Sequence, residues 1–263
     1  EPLATLAQRF GGTMWGDGDL AFIVSWWWTT RNVKVWHVQP DHRDREPRLV
    51  QDRSWQDRYN DPGQPLMHRG EYGRQVILTA DGGRTLFMSG EGASPDGDRP
   101  FLDRYDLETK ESERLFRSEA PHYERPVDLI DVKERRLLTR RESPTEPPNY
   151  FVRDLKTGDL DQKTHFPDPT PQLAGISKEL ITYERDDGLT LTGTLYLPAG
   201  YDKDRDGTLP VLMWAYPTEF KSKDDAGQVT DPITIRVGER AHVDLVADGV
   251  VPPRARPREV LSG

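Results

Sequence analysis

The chemistry open to a chain is bounded by its nucleophiles, bases and metal ligands. This chain of 263 residues has no cysteine. Thiolate catalysis, disulfides and cysteine-ligated zinc are therefore excluded. Serine is the remaining nucleophile for acyl transfer. An α/β-hydrolase serine stands in Gly-x-Ser-x-Gly, on a strained strand-to-helix turn. Ser25, Ser54, Ser89, Ser94, Ser112, Ser118, Ser143, Ser177, Ser222 and Ser262 all fall outside that frame. Ser89 is followed by Gly90 but lacks the spacing, and Ser222, in Phe220-Lys221-Ser222-Lys223, has no glycine beside it. Without the elbow, a serine–histidine–aspartate route to an acyl-enzyme is missing.

Other groups invite chemistry and read more simply. Asp202-Lys203-Asp204-Arg205-Asp206-Gly207 opens like a calcium loop. Such a loop needs a bidentate Glu at its twelfth position, where this chain has Met213; a solvated Asp/Gly turn is expected. His37, Asp41, His42 and Asp44 lie on a hairpin turn with no helix to converge them as ligands. No metal or cofactor site is expected. Alternation puts Trp26 and Trp28 on one strand face and Trp27 on the other, which suits packing between sheets. Glu142, Glu146 and Glu219 show no pairing partner and read as solvated. Arg135-Arg136 and Arg140-Arg141 flank a strand and read as edge charges. Tyr216 ends an apolar run, where a phenol anchored by one hydrogen bond is the plain reading.

The elements that would position these residues are short strands. With 22 Gly and 22 Pro the chain has many turns, and 7 Trp, 9 Tyr and 8 Phe supply bulky core material. After a lead-in over residues 1–9, strands are expected at Thr13–Gly16, Leu20–Trp28, Val33–Val38 and Arg48–Val50. A second set runs Val76–Thr79, Thr85–Ser89, Phe101–Leu107 and Arg114–Phe116, and a third Val127–Ile130, Arg136–Arg140, Tyr150–Leu155 and Gln162–Phe166. Asp106-Leu107-Glu108-Thr109-Lys110 recurs as Asp154-Leu155-Lys156-Thr157-Gly158, an offset of 154 − 106 = 48 residues. Four short strands at a period of about 40–50 residues mark a β-propeller. The Asp-Leu-x-Thr element fits the tight turn between a blade's outer strands, its Asp and Thr bonding nearby amides. The polar stretch Asp52–Arg74 reads as an elaborated inter-blade loop. Three blades fall short of a ring of about 4–8, so further blades upstream are expected.

From Pro171 the grammar changes. Leu180–Tyr183 and Leu189–Leu197 flank Arg185-Asp186-Asp187-Gly188, and Asp-Gly between apolar runs signals a hairpin. Leu191, Leu195 and Leu197 share one face of the second run; Thr190, Thr192, Thr194 and Tyr196 share the other. Leu209–Tyr216 is apolar almost throughout, the pattern of a strand covered on both faces.

The patterns DDGLTLTGTLYLPAGYD and LPVLMWAYPTEFKSKDDAGQV resemble the start of the catalytic domain of the prolyl oligopeptidase family, and within it the glutamyl endopeptidase branch. The likeness runs from about residue 10 to 229 and is most specific in Tyr-Pro-x-Glu-Phe-Lys-Ser. It implies a β-propeller followed by an α/β-hydrolase domain, a serine peptidase activity on short peptides, and cleavage after acidic residues. It also implies that the nucleophile, the Asp and the His belong downstream of Gly227-Gln228-Val229, and that Tyr216 offers its hydroxyl to the oxyanion. The chain as given is then expected to be inactive alone. The alternative is a non-catalytic propeller module that binds a peptide or protein.

The expected organisation is mostly β: about three blades of an incomplete propeller over 1–168, the first strands of an α/β-hydrolase domain over 169–229, and a divergent, disordered tail over 230–263. The Arg/Pro-rich ending reads as a frameshifted or truncated continuation. A net charge of −9 with interleaved basic residues argues against nucleic acid. No apolar run of about 18 residues predicts a membrane span. The chain starts at Glu1 without a leader, which favours a mature or partial chain that is soluble and cytoplasmic. A peptide substrate is the one partner implied.

Overall fold

The structure is a computed structural model that describes residues 2–133, 135–213, 215 and 218–230. The expectations for Tyr216 and for the tail beyond residue 230 fall outside the described residues.

Three antiparallel sheets follow one another along the chain as propeller blades. The first contains β1 (Arg9–Trp15), β2 (Ala21–Trp27), β3 (Asn32–Val38) and β4 (Arg48–Ser54), paired in sequence order. The second differs from expectation at its inner edge. Its position beside β9 (Thr85–Gly90) is shared by two fragments, β5 (Gln64–Pro65) and β8 (Thr79–Ala80). Between them a small hairpin, β6 (Met67–Arg69) with β7 (Gln75–Ile77), reaches back to the first blade through a Gly16–Ile77 bridge. The stretch read as a loop thus supplies strand. It was hidden because Pro65 cannot donate to a ladder and each fragment is only two residues long. The blade is completed by β10 (Phe101–Asp106) and β11 (Ser112–Arg117). The third blade is β12 (Tyr123–Asp131), β13 (Arg136–Glu142), β14 (Asn149–Asp154) and β15 (Leu160–Gln162), which ends before the expected Gln162–Phe166.

The blades stack through alternation on their central strands. In β9, Leu86 and Met88 face Leu20, Phe22 and Val35 of the first blade, while Phe87 packs with Leu102, Leu129 and Leu137 toward the third. A strand buried on both faces must be apolar at successive positions, as Thr85-Leu86-Phe87-Met88 nearly is. Leu102 and Leu137 are 0% exposed. On the far face of the first blade, Ala21, Ile23 and Val38 are covered by Ala4 and Leu6, so the lead-in packs against the sheet.

The recurring Asp-Leu-x-Thr turn forms twice with the same wiring. Asp106 Oδ1 accepts the Glu108 and Thr109 amides at 2.8 and 3.0 Å; Asp154 Oδ1 accepts those of Lys156 and Thr157 at 2.7 and 3.2 Å. Thr109 and Thr157 accept the amides two residues on. Lys110 and Gly158 both sit in the left-handed region, at φ 64° and 85°.

Strand β13 pairs with β12 and β14 and is therefore central, which corrects the reading of its arginines as edge charges. Two of them pair with carboxylates: Arg140 lies 3.0 Å from Glu142 on its own strand, and Arg141 contacts Glu124 on β12 and Glu146 in the following loop. Buried Glu124 also takes a two-pronged contact from Arg153, at 2.8 and 2.7 Å.

Beyond the blades, β16 (Ser177–Glu184) and β17 (Thr190–Leu197) form the expected hairpin. The Arg185 amide donates to the Leu189 carbonyl and closes a loop of three residues, Asp186-Asp187-Gly188. Gly188 adopts φ 76°, and the Asp187 carboxylate holds both the Arg185 guanidinium and the Leu189 amide. A three-residue loop closed by a left-handed glycine keeps the strand twist as well as a primed turn does. The hairpin buries Tyr196, on the threonine face, while the leucines opposite are only partly covered.

The following apolar run contradicts its reading. Among the described residues it contains no named strand, and Val211, Leu212 and Met213 are exposed, Leu212 at 61%. An apolar strand is buried only if sheets and helices cover both faces, and no described element does so here. Two single-turn helices, α1 (Lys203–Asp206) and α2 (Lys223–Ala226), complete the described chain. No described helix is long and apolar enough to cross a membrane.

Candidate functional site

A set of polar contacts joins the first blade to residues 219–229. It begins at the β2–β3 turn. Strand β2 carries Trp26 and β4 leads into Trp55; with Trp28 they form an aromatic cluster with ring centroids 5.9–6.5 Å apart. Trp26 and Trp28 do share a face, as alternation predicts. They meet Trp55 and a cation instead of a neighbouring sheet.

That cation is Arg31, whose guanidinium stands 4.0 Å from the centre of Trp28 and 5.8 Å from that of Trp55. A guanidinium over an indole face is held by the ring quadrupole, more strongly as water is excluded. Arg31 is 2% exposed. It donates to the Trp28 carbonyl and lies 3.2 Å from the Glu219 carboxylate. Its φ is 57°. Left-handed backbone costs a non-glycine residue about 1 kcal/mol, so the turn holds an arginine where a glycine would relax.

Residues 54–59, between β4 and β5, grip residues 219–229. Gln56 is buried and uses both ends of its amide: Nε2 donates to the Glu219 carbonyl at 2.6 Å, and Oε1 accepts the Lys221 amide at 3.1 Å. Gln228 returns the pattern. Its Oε1 accepts the Arg58 and Tyr59 amides at 2.6 and 3.1 Å, and its Nε2 donates to Asp57 at 2.9 Å. Val229 donates its amide to the Tyr59 hydroxyl at 2.9 Å, and Ser54 donates to Asp225 at 3.3 Å. Ser222, one of the serines outside the elbow frame, caps α2 through the Asp225 amide.

The charges follow these contacts. Lys221, and beyond it Arg31, hold the Glu219 carboxyl below its ordinary range. Burial pushes the Asp225 carboxyl up, against the hydrogen bond from Ser54. Glu219 is thus paired, which corrects the reading that it has no partner, while its side chain stays 65% exposed, as expected of a solvated loop carboxylate. One partner, Lys221, lies two residues away; the other, Arg31, is remote in sequence, and no local pattern points to it.

No catalytic serine arrangement forms among the described hydrogen bonds. Ser118, His122 and Glu146 come nearest. The Ser118 hydroxyl donates to the His122 backbone carbonyl at 2.9 Å and accepts the Glu124 amide. The imidazole turns away, its Nε2 lying 3.1 Å from Glu146. A base must reach the hydroxyl proton to activate it, and this ring faces the carboxylate instead. The His37 group does not converge either. His37 packs on Phe22 and beside Arg48, burial and then Arg48 lowering its pKa, while His42 lies 3.6 Å from Asp19. Asp202 spends its carboxylate on the Asp204 and Arg205 amides as the cap of α1.

Comparison with known proteins gives a direct likeness. The chain is 43% identical over 241 residues to a probable chloroplastic glutamyl endopeptidase of rice, Oryza sativa subsp. japonica, covering 87% of this chain and 26% of that protein. It is 42% identical over 242 residues to the corresponding Arabidopsis thaliana protein, covering 87% and 25%. The chain spans about a quarter of the length of these relatives. A solved puromycin hydrolase matches over 76% of this chain and 35% of its own, at 15% identity and a TM-score of 0.42. No family model matches the chain.

Proposed function

Because this chain belongs to the glutamyl endopeptidase branch of the prolyl oligopeptidase family, we propose that it supplies part of a serine peptidase. Residues 1–168 contribute blades of the propeller, and residues 169–229 open the hydrolase domain. The whole enzyme hydrolyses peptide bonds, after acidic residues as the relatives' name suggests, and its propeller limits entry to short peptides. The observation that carries this reading is the identity of 43% over 241 residues, covering 87% of this chain.

Within that enzyme Tyr216 donates its hydroxyl to the oxyanion of the tetrahedral intermediate. A donor aimed at that oxygen contributes roughly 3–4 kcal/mol of transition-state stabilisation. The nucleophile, the Asp and the His lie outside these residues, so this chain alone makes no acyl-enzyme. The absence of Gly-x-Ser-x-Gly around all ten serines supports this. The compartment expected from sequence, the cytoplasm, stands as a proposal beside the chloroplast location in the relatives' names.

The test is a peptidase assay on the purified chain, with a fluorogenic peptide carrying Glu before the scissile bond, combined with labelling by a fluorophosphonate. We expect neither turnover nor labelling. A labelled serine, with turnover abolished by its replacement with alanine, would overturn the inactivity of the chain.

A further inference from the structure

We infer that the first blade carries a built docking site for this chain's own segment Glu219–Val229, and that Arg31 and Gln56 are the residues that recognise it. This goes beyond the peptidase reading, which does not require the blade to hold that segment.

Three independent observations support it. Arg31 keeps a left-handed backbone while 2% exposed, so its side chain is retained against local strain. Its guanidinium is capped by Trp28 and Trp55 and aimed at one carboxylate, that of Glu219. Gln56 reads the backbone on either side of Phe220, taking the Glu219 carbonyl and the Lys221 amide together. A side-chain amide that satisfies one acceptor and one donor of a segment recognises backbone direction, and the arginine adds the requirement for an acid. The chemistry fits Glu-x-Lys. At the other end, Gln228 and Tyr59 repeat the exchange of side chain for backbone. The segment is thus held at both ends, three residues beyond Tyr216.

Amide hydrogen exchange on the full chain tests the site without reference to hydrolysis. Its failure would leave the peptidase reading standing, and a failed peptidase assay would leave the site intact. The Lys221 and Val229 amides should be protected. Gln56→Ala should speed exchange at Lys221 about tenfold, the ratio expected for one lost buried hydrogen bond, while Val152 in the third blade keeps its rate. Glu219→Gln should act similarly in the native background and by no more than about twofold in an Arg31→Met background, since coupled residues are non-additive. If Arg31→Met disturbs the blade itself, Gln228→Ala provides a second reading, releasing the Arg58 and Tyr59 amides. Unprotected Lys221 and Val229 amides in the native chain, or additive effects of Arg31→Met and Glu219→Gln, would overturn the proposal.

Discussion

The three blades and the stretch from Pro171 onward use similar apolar residues to different ends. In β9 successive side chains reach the two neighbouring sheets in turn, and Leu86, Phe87 and Met88 are all buried. In Val211-Leu212-Met213 the same kind of run stands exposed. Hydrophobicity in a strand records how many layers it is meant to lie between; burial happens only where those layers exist. The blades are held by apolar stacking, whereas among the described residues the later stretch is tied to them by the Arg31–Glu219 pair and a set of polar contacts.

The sharpest way to break this contrast is to cut a leucine from each region. Leu102→Ala or Leu137→Ala should cost about 3 kcal/mol, the usual price of a fully buried leucine that leaves a cavity. Leu212→Ala should shift stability by less than about 0.5 kcal/mol. Urea unfolding followed by tryptophan fluorescence measures both. Equal effects would mean that the two regions are packed alike.

Next in size is the anchor. Arg31→Ala removes a charge-assisted contact and the packing on two indoles, and should cost about 2 kcal/mol. The repeated turn gives a smaller and more graded comparison. Gly158→Ala should destabilise by about 1 kcal/mol, because alanine resists the left-handed region. Lys110→Gly, at the matching position, should stabilise by about 0.5 kcal/mol. Opposite signs at two places of one motif would show that the wiring, and not the residue, defines the turn.

The smallest effect concerns pH. The Thr109 and Glu108 amides hold Asp106 below the ordinary carboxylate value of 3.8, and those of Lys156 and Thr157 do the same for Asp154. A carboxyl with a lowered folded pKa binds its proton more readily when unfolded. Its stabilisation is therefore complete above 3.8 and is lost as pH falls through the folded value. Carboxyl-carbon NMR should place both midpoints below 3.8, and replacing Thr109 with valine should leave the Asp106 midpoint there, since the backbone amide remains.

What was legible in the sequence is what depends on neighbours in sequence. The Asp-Leu-x-Thr turn was readable because its Asp and Thr side chains take amides two or three residues on, and the hairpin because Gly188 marks a left-handed position. The inner edge of the second blade was not, since Gln64-Pro65 and Thr79-Ala80 become strand only through β9. The docking of Glu219 was also invisible. Nothing in the turn Thr29-Thr30-Arg31 marks the arginine, and only the fold brings Trp55 and Glu219 to it. Tyr216 was singled out by resemblance, and its chemistry remains a proposal.

Native-state hydrogen exchange under rising denaturant tests the central contrast most directly. The account predicts that β9, β10 and β13 exchange only through global unfolding, while β16 and β17 open at much lower denaturant in a separate local event. Exchange of β16 and β17 together with the blades, at one common denaturant dependence, would contradict it.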